Sequence, residues 1–217
     1  MFRSMHVLVM AKEPRPGAVK TRLCPPCLPA EAAALAEAAI ADTLEAALAS
    51  GADRVVLALD GRPGPWCPAG VDVVAQSTGP FDLRLAAAWE ATGGPGVQIG
   101  MDTPQVTADH LDAAMATLSD GRHDATLGPA DDGGWWLIGL RRPDPRVFAG
   151  VPMSRPETGA RQRERLALLG LRCGTEPSLR DVDHVEDAFA AAAAAPGTRF
   201  ARTLVGLDLG TTAGARR

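Results

Sequence analysis

Four basic side chains share a short stretch near the start of the chain: Lys12, Arg15, Lys20 and Arg22. Two prolines and a glycine lie among them, which keeps this stretch out of a helix. Arginine can bind a phosphate through two parallel donors, and lysine supplies a point charge. The spacing matches neither a Walker loop nor a G-x-G-x-x-G motif, which sets those two mechanisms aside. The stretch is therefore either a phosphate-binding loop or an ordinary solvated basic loop.

Three aspartates could supply oxygen ligands beside such a loop. Asp102 directly follows an apolar segment, where its alternative role is to form the turn before Pro104. Asp132 precedes two glycines, a pattern that is also typical of a hairpin turn. Asp183 could equally be the N-cap of a helix. Carboxylates from separate positions usually hold Mg²⁺ when it also binds substrate phosphates, so the three together predict a divalent-metal site.

Hydrophobic periodicity places these residues at the ends of alternating strands and helices. Apolar runs predict seven strands, at 5–10, 55–59, 71–75, 97–101, 124–127, 135–140 and 171–176. Helical spacing predicts six helices, at 31–50, 81–92, 107–119, 158–169, 183–195 and 199–205. The basic stretch follows the first strand and Asp102 follows the fourth. Open α/β sheets bind ligands outside the carboxyl ends of their strands, so both stand where a ligand is expected.

The alternation of strands and helices predicts an α/β fold, with a mostly parallel sheet covered by helices on both faces. Two neighbouring strands joined by a short turn at 124–140 predict that the sheet is mixed in its second half. We expect a single-domain, three-layer α/β/α unit over residues 1–206. The Gly/Thr/Arg-rich end, residues 207–217, is predicted to be a disordered tail.

Composition restricts the partners. The 217 residues carry a formal net charge of −4 and a sequence pI near 5.6, which argues against a general nucleic-acid binder. A local basic loop in an acidic protein indicates instead a small anionic ligand. No apolar run approaches the roughly 20 residues needed to span a bilayer, and the start of the chain lacks the pattern of a signal peptide. The sequence therefore predicts a cytoplasmic protein with neither a nucleic-acid nor a membrane partner.

A cysteine pair requires separate consideration. Cys24 and Cys27 have the C-x-x-C spacing of a redox pair or of half a zinc site. Zinc would need two more ligands, and Cys67 and Cys173 are isolated. A redox pair would lie at a helix start directly after a strand, whereas here a long basic loop intervenes. We therefore expect Cys24 and Cys27 to be small apolar residues that flank a Pro-Pro bend.

Four stretches in order carry a resemblance: AKEPRPGAVKTRL at 11–23, IGMDTP at 99–104, LGPADDGGWWLIGL at 127–140 and DVD at 181–183. Together they resemble the bacterial GT-A-like transferase family often described as rSAM/selenodomain-associated, long carried as a domain of unknown function. That family is similar in fold to nucleotide-diphospho-sugar transferases and to small nucleotidyltransferases. Because the stretches span nearly the whole chain, they are more specific together than any one of them.

The resemblance implies roles for particular residues. The basic loop would hold the nucleotide phosphates, with the nucleotide-binding residues being Ala11, Lys12, Lys20, Arg22 and Gln76. Asp102 and Asp183 would bind Mg²⁺ or Mn²⁺. Asp132, Gly133 and Gly134 would line the side of the second substrate. Catalysis would then depend on Lys20, Asp102 and Asp132.

Three functions are compatible with these residues. The first is a metal-dependent glycosyltransferase that uses a nucleoside diphosphate sugar and a small-molecule acceptor. The second is a nucleotidyltransferase that uses a nucleoside triphosphate and a phosphorylated small molecule. The third is a nucleotide-sugar-binding protein without catalysis, against which the intact lysines and aspartates argue. The sequence favours the first and does not name the base, the sugar or the acceptor.

Overall fold

The structure is a computed structural model that describes residues 4–207 and residue 209. Within these residues seven strands form one sheet: β1 His6–Lys12, β2 Arg54–Asp60, β3 Val71–Ala75, β4 Gly96–Gly100, β5 Ala125–Pro129, β6 Trp135–Leu140 and β7 Cys173–Thr175. Six α-helices accompany them: α1 Pro29–Ala49, α2 Phe81–Thr92, α3 Ala108–Ser119, α4 Thr158–Leu168, α5 Val185–Ala194 and α6 Arg199–Gly206. Each predicted strand and helix is present, which confirms the α/β assignment.

The strand order is β3-β2-β1-β4-β6-β5-β7. β6 runs antiparallel to both of its neighbours, and the other pairs are parallel, so the predicted mixed sheet is confirmed. A parallel strand ends, and an antiparallel strand begins, at the same edge of a sheet. The reversal therefore brings the loop before β6 to the edge where β1 and β4 end.

The two faces of β1 show why the sheet is buried on both sides. Val7 and Val9 pack in one apolar cluster with residues of α1 and α3, whereas Leu8 and Met10 pack in a second with residues of α2 and α4. Successive side chains of a strand point to opposite faces, so a run that is apolar at every position needs a layer on each face. The three-layer arrangement follows from this run.

A third apolar cluster joins α1 to α5 and α6. Cys27 is buried there among residues that include Leu35 and Phe200, and Cys24 packs against the same cluster. Burial, and then the nearby Glu31 carboxylate, raises the pKa of the Cys24 thiol, which is the opposite of what a reactive thiolate needs. A packing role explains this pair.

The end of the chain is only partly described. The predicted tail, 207–217, lies outside the described residues except for Leu207 and Leu209, which pack against the third cluster. Among the helices of the described residues, none has the length and apolar composition needed to cross a membrane.

The start of α5 differs from the sequence prediction by one residue. Asp183 was expected to cap this helix, but the N-cap residue is His184. The carboxylate of Asp187, three residues further on, accepts the backbone N–H of His184 at 2.9 Å. The expectation that Asp183 is the cap is therefore wrong, because Asp187 already satisfies the first backbone donors. The Asp183 carboxylate is left available for another partner.

His6 is a titratable side chain inside the core. It is 4% exposed, and its ring contacts the ring of Trp89 edge-on at 5.1 Å between centroids. Its Nε2 atom has no hydrogen-bond partner among residues 4–207 and 209. Burial, and then the positive charge of Arg54, lowers the pKa of His6 to about 4. The folded protein therefore holds this imidazole neutral.

We predict a pH-dependent loss of stability through His6. Since its folded pKa lies below the ordinary value of 6.5, the unfolded chain binds the proton more readily between pH 6.5 and 4. The free energy of unfolding should be undiminished above pH 6.5 and should fall by up to about 3 kcal/mol as the pH decreases to 4. Urea unfolding of the wild type and of His6→Leu, measured across this window, would show a smaller decrease in the variant.

The exposed His184 provides the control. His184→Gln replaces an exposed histidine and retains the buried His6, so this variant should keep the loss of stability ascribed to His6. An unchanged pH dependence in His6→Leu would contradict the role of His6.

Candidate functional site

The basic loop leaves the carboxyl end of β1, as predicted. Lys12 is the last residue of this strand; its ammonium group is exposed and has no ion pair within the described part of the chain. Arg15 is also exposed and lies 3.8 Å from the Glu13 carboxylate, a long contact that contributes little. These two cations face solvent and are accessible to an anionic ligand.

Lys20 has a different environment. Its Nζ lies 2.5 Å from Oδ1 of Asp102 and donates a hydrogen bond to the carbonyl oxygen of Val182. The Lys20 side chain is only 4% exposed, and its backbone is left-handed, with φ 49° and ψ 35°. This ammonium group thus connects the basic loop to Asp102 in the loop after β4 and to the segment before α5.

A second ion pair connects the same parts of the chain. Arg22 donates to Oδ2 of Asp183 at 2.6 Å, and both side chains are about half exposed. The backbone N–H of Val182 donates to the carbonyl oxygen of Asp102 at 2.8 Å. Four of the residues singled out from the sequence therefore lie together: Lys20, Arg22, Asp102 and Asp183.

Asp181 is a member of the site to which the sequence assigned no role. Burial, and then the carboxylates of Asp102 and Asp132, raise the pKa of Asp181 to about 8, and the charge of Lys20 acts in the opposite direction. Such mutual repulsion means that these carboxylates occupy one small region. The D-V-D motif could have indicated this position of Asp181, because its two aspartates flank Val182, which is buried.

The donor set fits a hard divalent cation. Asp102, Asp181 and Asp183 offer only carboxylate oxygens, which Mg²⁺ and Mn²⁺ prefer over nitrogen or sulfur ligands. Two of the three carboxylates are paired with Lys20 and Arg22. In the described part of the chain, no three His, Cys, Asp or Glu side chains converge on a single point. The chemistry of these residues suits the metal, while their charges are balanced here by the basic loop.

The Asp132 loop lies at the same edge because β6 is antiparallel. Oδ1 of Asp132 accepts the backbone N–H of Gly134 at 2.8 Å, which closes the turn before β6. Gly133 has φ +88°, and a Cβ there would lie 2.0 Å from the carbonyl oxygen of Pro156. The backbone N–H of Gly159 donates to the Gly133 carbonyl at 2.8 Å. Close packing against the segment that begins α4 thus explains Gly133, and a role of this loop in binding a second substrate stays a prediction.

Gln76 is fully engaged within the protein. Its Nε2 donates to the carbonyl oxygens of Ala11 at 2.8 Å and Ala58 at 2.7 Å, and its Oε1 accepts from Arg84. The side chain therefore holds the carboxyl ends of β1 and β2 together. Ala11 is itself buried in β1, 3% exposed. Gln76 and Ala11 border the predicted nucleotide site, and their roles toward a ligand stay predictions.

Asp60 and Arg84 form a pair that the sequence analysis did not identify. Asp60 ends β2, and its carboxylate accepts from the guanidinium of Arg84 at 3.1 Å. The Asp60 side chain is 51% exposed and the Arg84 side chain 15% exposed. The sequence offered one signal, since Asp60 follows an apolar strand as Asp102 does.

Two cavities of the molecule lie away from this edge. One of about 480 Å³ is lined by residues of α1, α6 and the loop around Trp66. The other, of about 660 Å³, lies beside Met5 and Asp53, next to the amino end of β1. Neither cavity is lined by the candidate site residues, which lie along the carboxyl edge of the sheet.

The fold is the one found in nucleotidyltransferases and nucleotide-diphospho-sugar transferases. The chain belongs to the family described as "Uncharacterized protein conserved in bacteria (DUF2064)", whose model matches residues 34–155. The family resemblance predicted from the sequence is thereby confirmed.

Three known proteins are similar to this chain in sequence or in structure. A 3-phospho-D-glycerate guanylyltransferase of Phenylobacterium zucineum (strain HLK1) is 32% identical, with 85% of this chain and 89% of the relative covered. A crystal structure from Desulfovibrio desulfuricans G20, provisionally assigned as a nucleotide-diphospho-sugar transferase, superposes with a TM-score of 0.82 at 25% identity and covers 94% of each chain. A nucleotidyl transferase of Methanothermobacter thermautotroptrophicus has a TM-score of 0.60 at 17% identity, covering 93% and 100%, and so shares the fold.

We predict that the Lys20 contacts stabilise the folded protein. Lys20→Met removes the donor from a carbonyl oxygen and the counter-charge from Asp102, so the free energy of unfolding should fall by about 1–3 kcal/mol. Lys12→Met, which removes an exposed lysine from the same loop, should change it by less than about 0.5 kcal/mol. Urea unfolding at pH 7 measures both values, and equal effects would show that the Lys20 contacts are unimportant.

Proposed function

We propose that this protein is a nucleotidyltransferase that transfers a nucleoside monophosphate from a nucleoside triphosphate to a phosphorylated small molecule. The observation that carries the proposal is the meeting of the β1 basic loop with the carboxylates after β4 and before α5 at one edge of the sheet. The 32% identity to a 3-phospho-D-glycerate guanylyltransferase supports the same reaction and a phosphorylated acid as acceptor.

In this reaction a phosphate oxygen of the acceptor attacks the α-phosphorus of the triphosphate. The bond from the α-phosphorus to the bridging oxygen breaks, and pyrophosphate leaves with the electron pair. Negative charge develops on the departing pyrophosphate, so catalysis needs cations placed there beforehand. Lys12 and Arg15 are exposed at the end of β1 and are suited to bind the β- and γ-phosphates.

Asp102 and Asp183 would hold Mg²⁺ or Mn²⁺, with Asp181 beside them. Such an ion supplies charge neutralisation for the phosphates. Lys20 fixes the Asp102 carboxylate next to the loop, so donor phosphates and metal ligands share one location. Asp132 lies close enough to Asp181 for its charge to raise the pKa of that residue, and the family resemblance assigns it to the side of the acceptor. It could orient the acceptor without itself carrying phosphate.

Glycosyl transfer, which the sequence favoured, is the second candidate. It is supported by the structural likeness to the Desulfovibrio desulfuricans protein assigned as a nucleotide-diphospho-sugar transferase. That reaction would release a nucleoside diphosphate from a nucleotide sugar rather than pyrophosphate from a triphosphate. The relative with the guanylyltransferase name has the higher sequence identity, 32% against 25%, and favours nucleotidyl transfer.

The two reactions can be separated by their leaving groups. We expect pyrophosphate to appear when the protein is incubated with a nucleoside triphosphate, Mg²⁺ and 3-phospho-D-glycerate, and not when the acceptor is omitted. Coupled detection of pyrophosphate with each of the four common triphosphates measures this. Release of a nucleoside diphosphate from a nucleotide sugar would instead establish glycosyl transfer. Binding of neither donor at millimolar concentration would favour a non-catalytic protein.

We predict that Asp102→Asn weakens metal binding without unfolding the protein. The asparagine retains a side-chain oxygen that can accept from Lys20, but it loses the negative charge that attracts a divalent cation. Removal of one charged ligand contact should weaken Mn²⁺ binding by about 10- to 100-fold, as measured by electron paramagnetic resonance of free Mn²⁺.

Asp72→Asn is the matched control for this substitution. Asp72 is an exposed aspartate of β3 that is also paired with an arginine, Arg54, so the change in charge is the same. This variant should bind Mn²⁺ like the wild type. Unchanged Mn²⁺ affinity in Asp102→Asn would remove Asp102 from the metal site.

A further inference from the structure

Asp60 presents a carboxylate beside the proposed nucleotide site. It is the last residue of β2 and is in register with Lys12, the last residue of β1. Half of its side chain is exposed, at 51%, although Arg84 holds one of its oxygens at 3.1 Å. The carboxylate therefore has free acceptor positions that face the same edge as the basic loop.

The sheet order sets the distance between Asp60 and the phosphate end of the site. β1 lies between β2 and β4, and neighbouring strands are about 4.8 Å apart, so the ends of β2 and β4 are separated by about 10 Å. With the phosphates between the loop and Asp102, a nucleoside extending across the end of β1 reaches β2. On the other side of β4 lies β6, which is preceded by the Asp132 loop on the proposed acceptor side.

Three residues hold Asp60 in place. The guanidinium of Arg84 donates hydrogen bonds to the Asp60 carboxylate and to Oε1 of Gln76. It also lies 5.6 Å above the ring centre of Phe81. Gln76 is in turn fixed by two backbone carbonyl oxygens of β1 and β2. The carboxylate thus belongs to a rigid support rather than to a mobile loop, as a group that discriminates between ligands requires.

We propose that Asp60 recognises the base and that the base is guanine. A carboxylate only accepts hydrogen bonds, so it favours a base edge with adjacent donors. Guanine presents N1–H and the N2 amino group side by side, whereas adenine and cytosine present one amino group beside an acceptor, and uracil presents one N–H between two acceptors. The donor would therefore be guanosine triphosphate. This inference rests on the proposed function and specifies its donor.

Binding of nucleotides to the wild type and to Asp60→Asn tests the proposal. In the wild type, calorimetry with Mg²⁺ should rank guanosine triphosphate above the adenosine, cytidine and uridine triphosphates. Asp60→Asn should lose about 10- to 100-fold in affinity for guanosine triphosphate, the cost of one bidentate base contact. The same variant should gain affinity for xanthosine triphosphate, because the C2 carbonyl of xanthine can accept from the asparagine amide.

Asp72→Asn again serves as the control, since it removes the same charge from another Arg-paired aspartate and should leave both affinities unchanged. A gain for xanthosine triphosphate also shows that Asp60→Asn is folded. Tight binding of guanosine triphosphate by Asp60→Asn would overturn the role of Asp60. A wild type that prefers another triphosphate and still releases pyrophosphate would overturn the choice of guanine and leave nucleotidyl transfer intact. A wild type that binds no triphosphate would overturn both.

Discussion

The contact of the Lys20 ammonium with Asp102 and Val182 is the interaction on which the site depends. It joins three parts of the chain, the loop after β1, the loop after β4 and the segment before α5, and the Lys20 side chain is almost fully buried. A buried ammonium group must be paired with acceptors, and this one has a carboxylate and a carbonyl. The requirement fixes how the basic loop lies on the sheet and leaves Lys12 and Arg15 facing outward.

Charge balance explains why so many acids can share this edge. Four aspartates lie close enough to influence one another: Asp102, Asp132, Asp181 and Asp183. Lys20 and Arg22 compensate two of them, and the pKa of Asp181, raised to about 8, means that it binds a proton in neutral solution more readily than an ordinary carboxyl group. A site that balances acids with cations in this way is suited to receive both a divalent ion and phosphates, which carry charges of the same two signs.

The sheet topology decides which functional groups meet. Because β6 runs antiparallel to β4, the loop that precedes β6 lies at the edge where β1 and β4 end. This brings Asp132 toward Asp102. On the other side of β1, Gln76 ties β1 to β2 and supports the pair of Arg84 and Asp60. Strand order therefore separates an acidic part of this edge, at β4 and β6, from a part at β2 that carries Asp60.

The sequence by itself determined the α/β fold, because hydrophobic period and turn residues are local properties. It also singled out Lys20, Arg22, Asp102 and Asp183, which lie together in the fold, because the basic loop and Asp102 follow strands and Asp183 precedes a helix. It placed the cap of α5 one residue too early and gave no role to Asp181 or Asp60. Tertiary structure decided these: Lys20 meets a carbonyl 162 residues away, and the Gln76 amide bonds to backbone of two strands. Partners so distant in sequence leave no local pattern, so only the folded sheet could show which cations are buried and which remain accessible to a ligand.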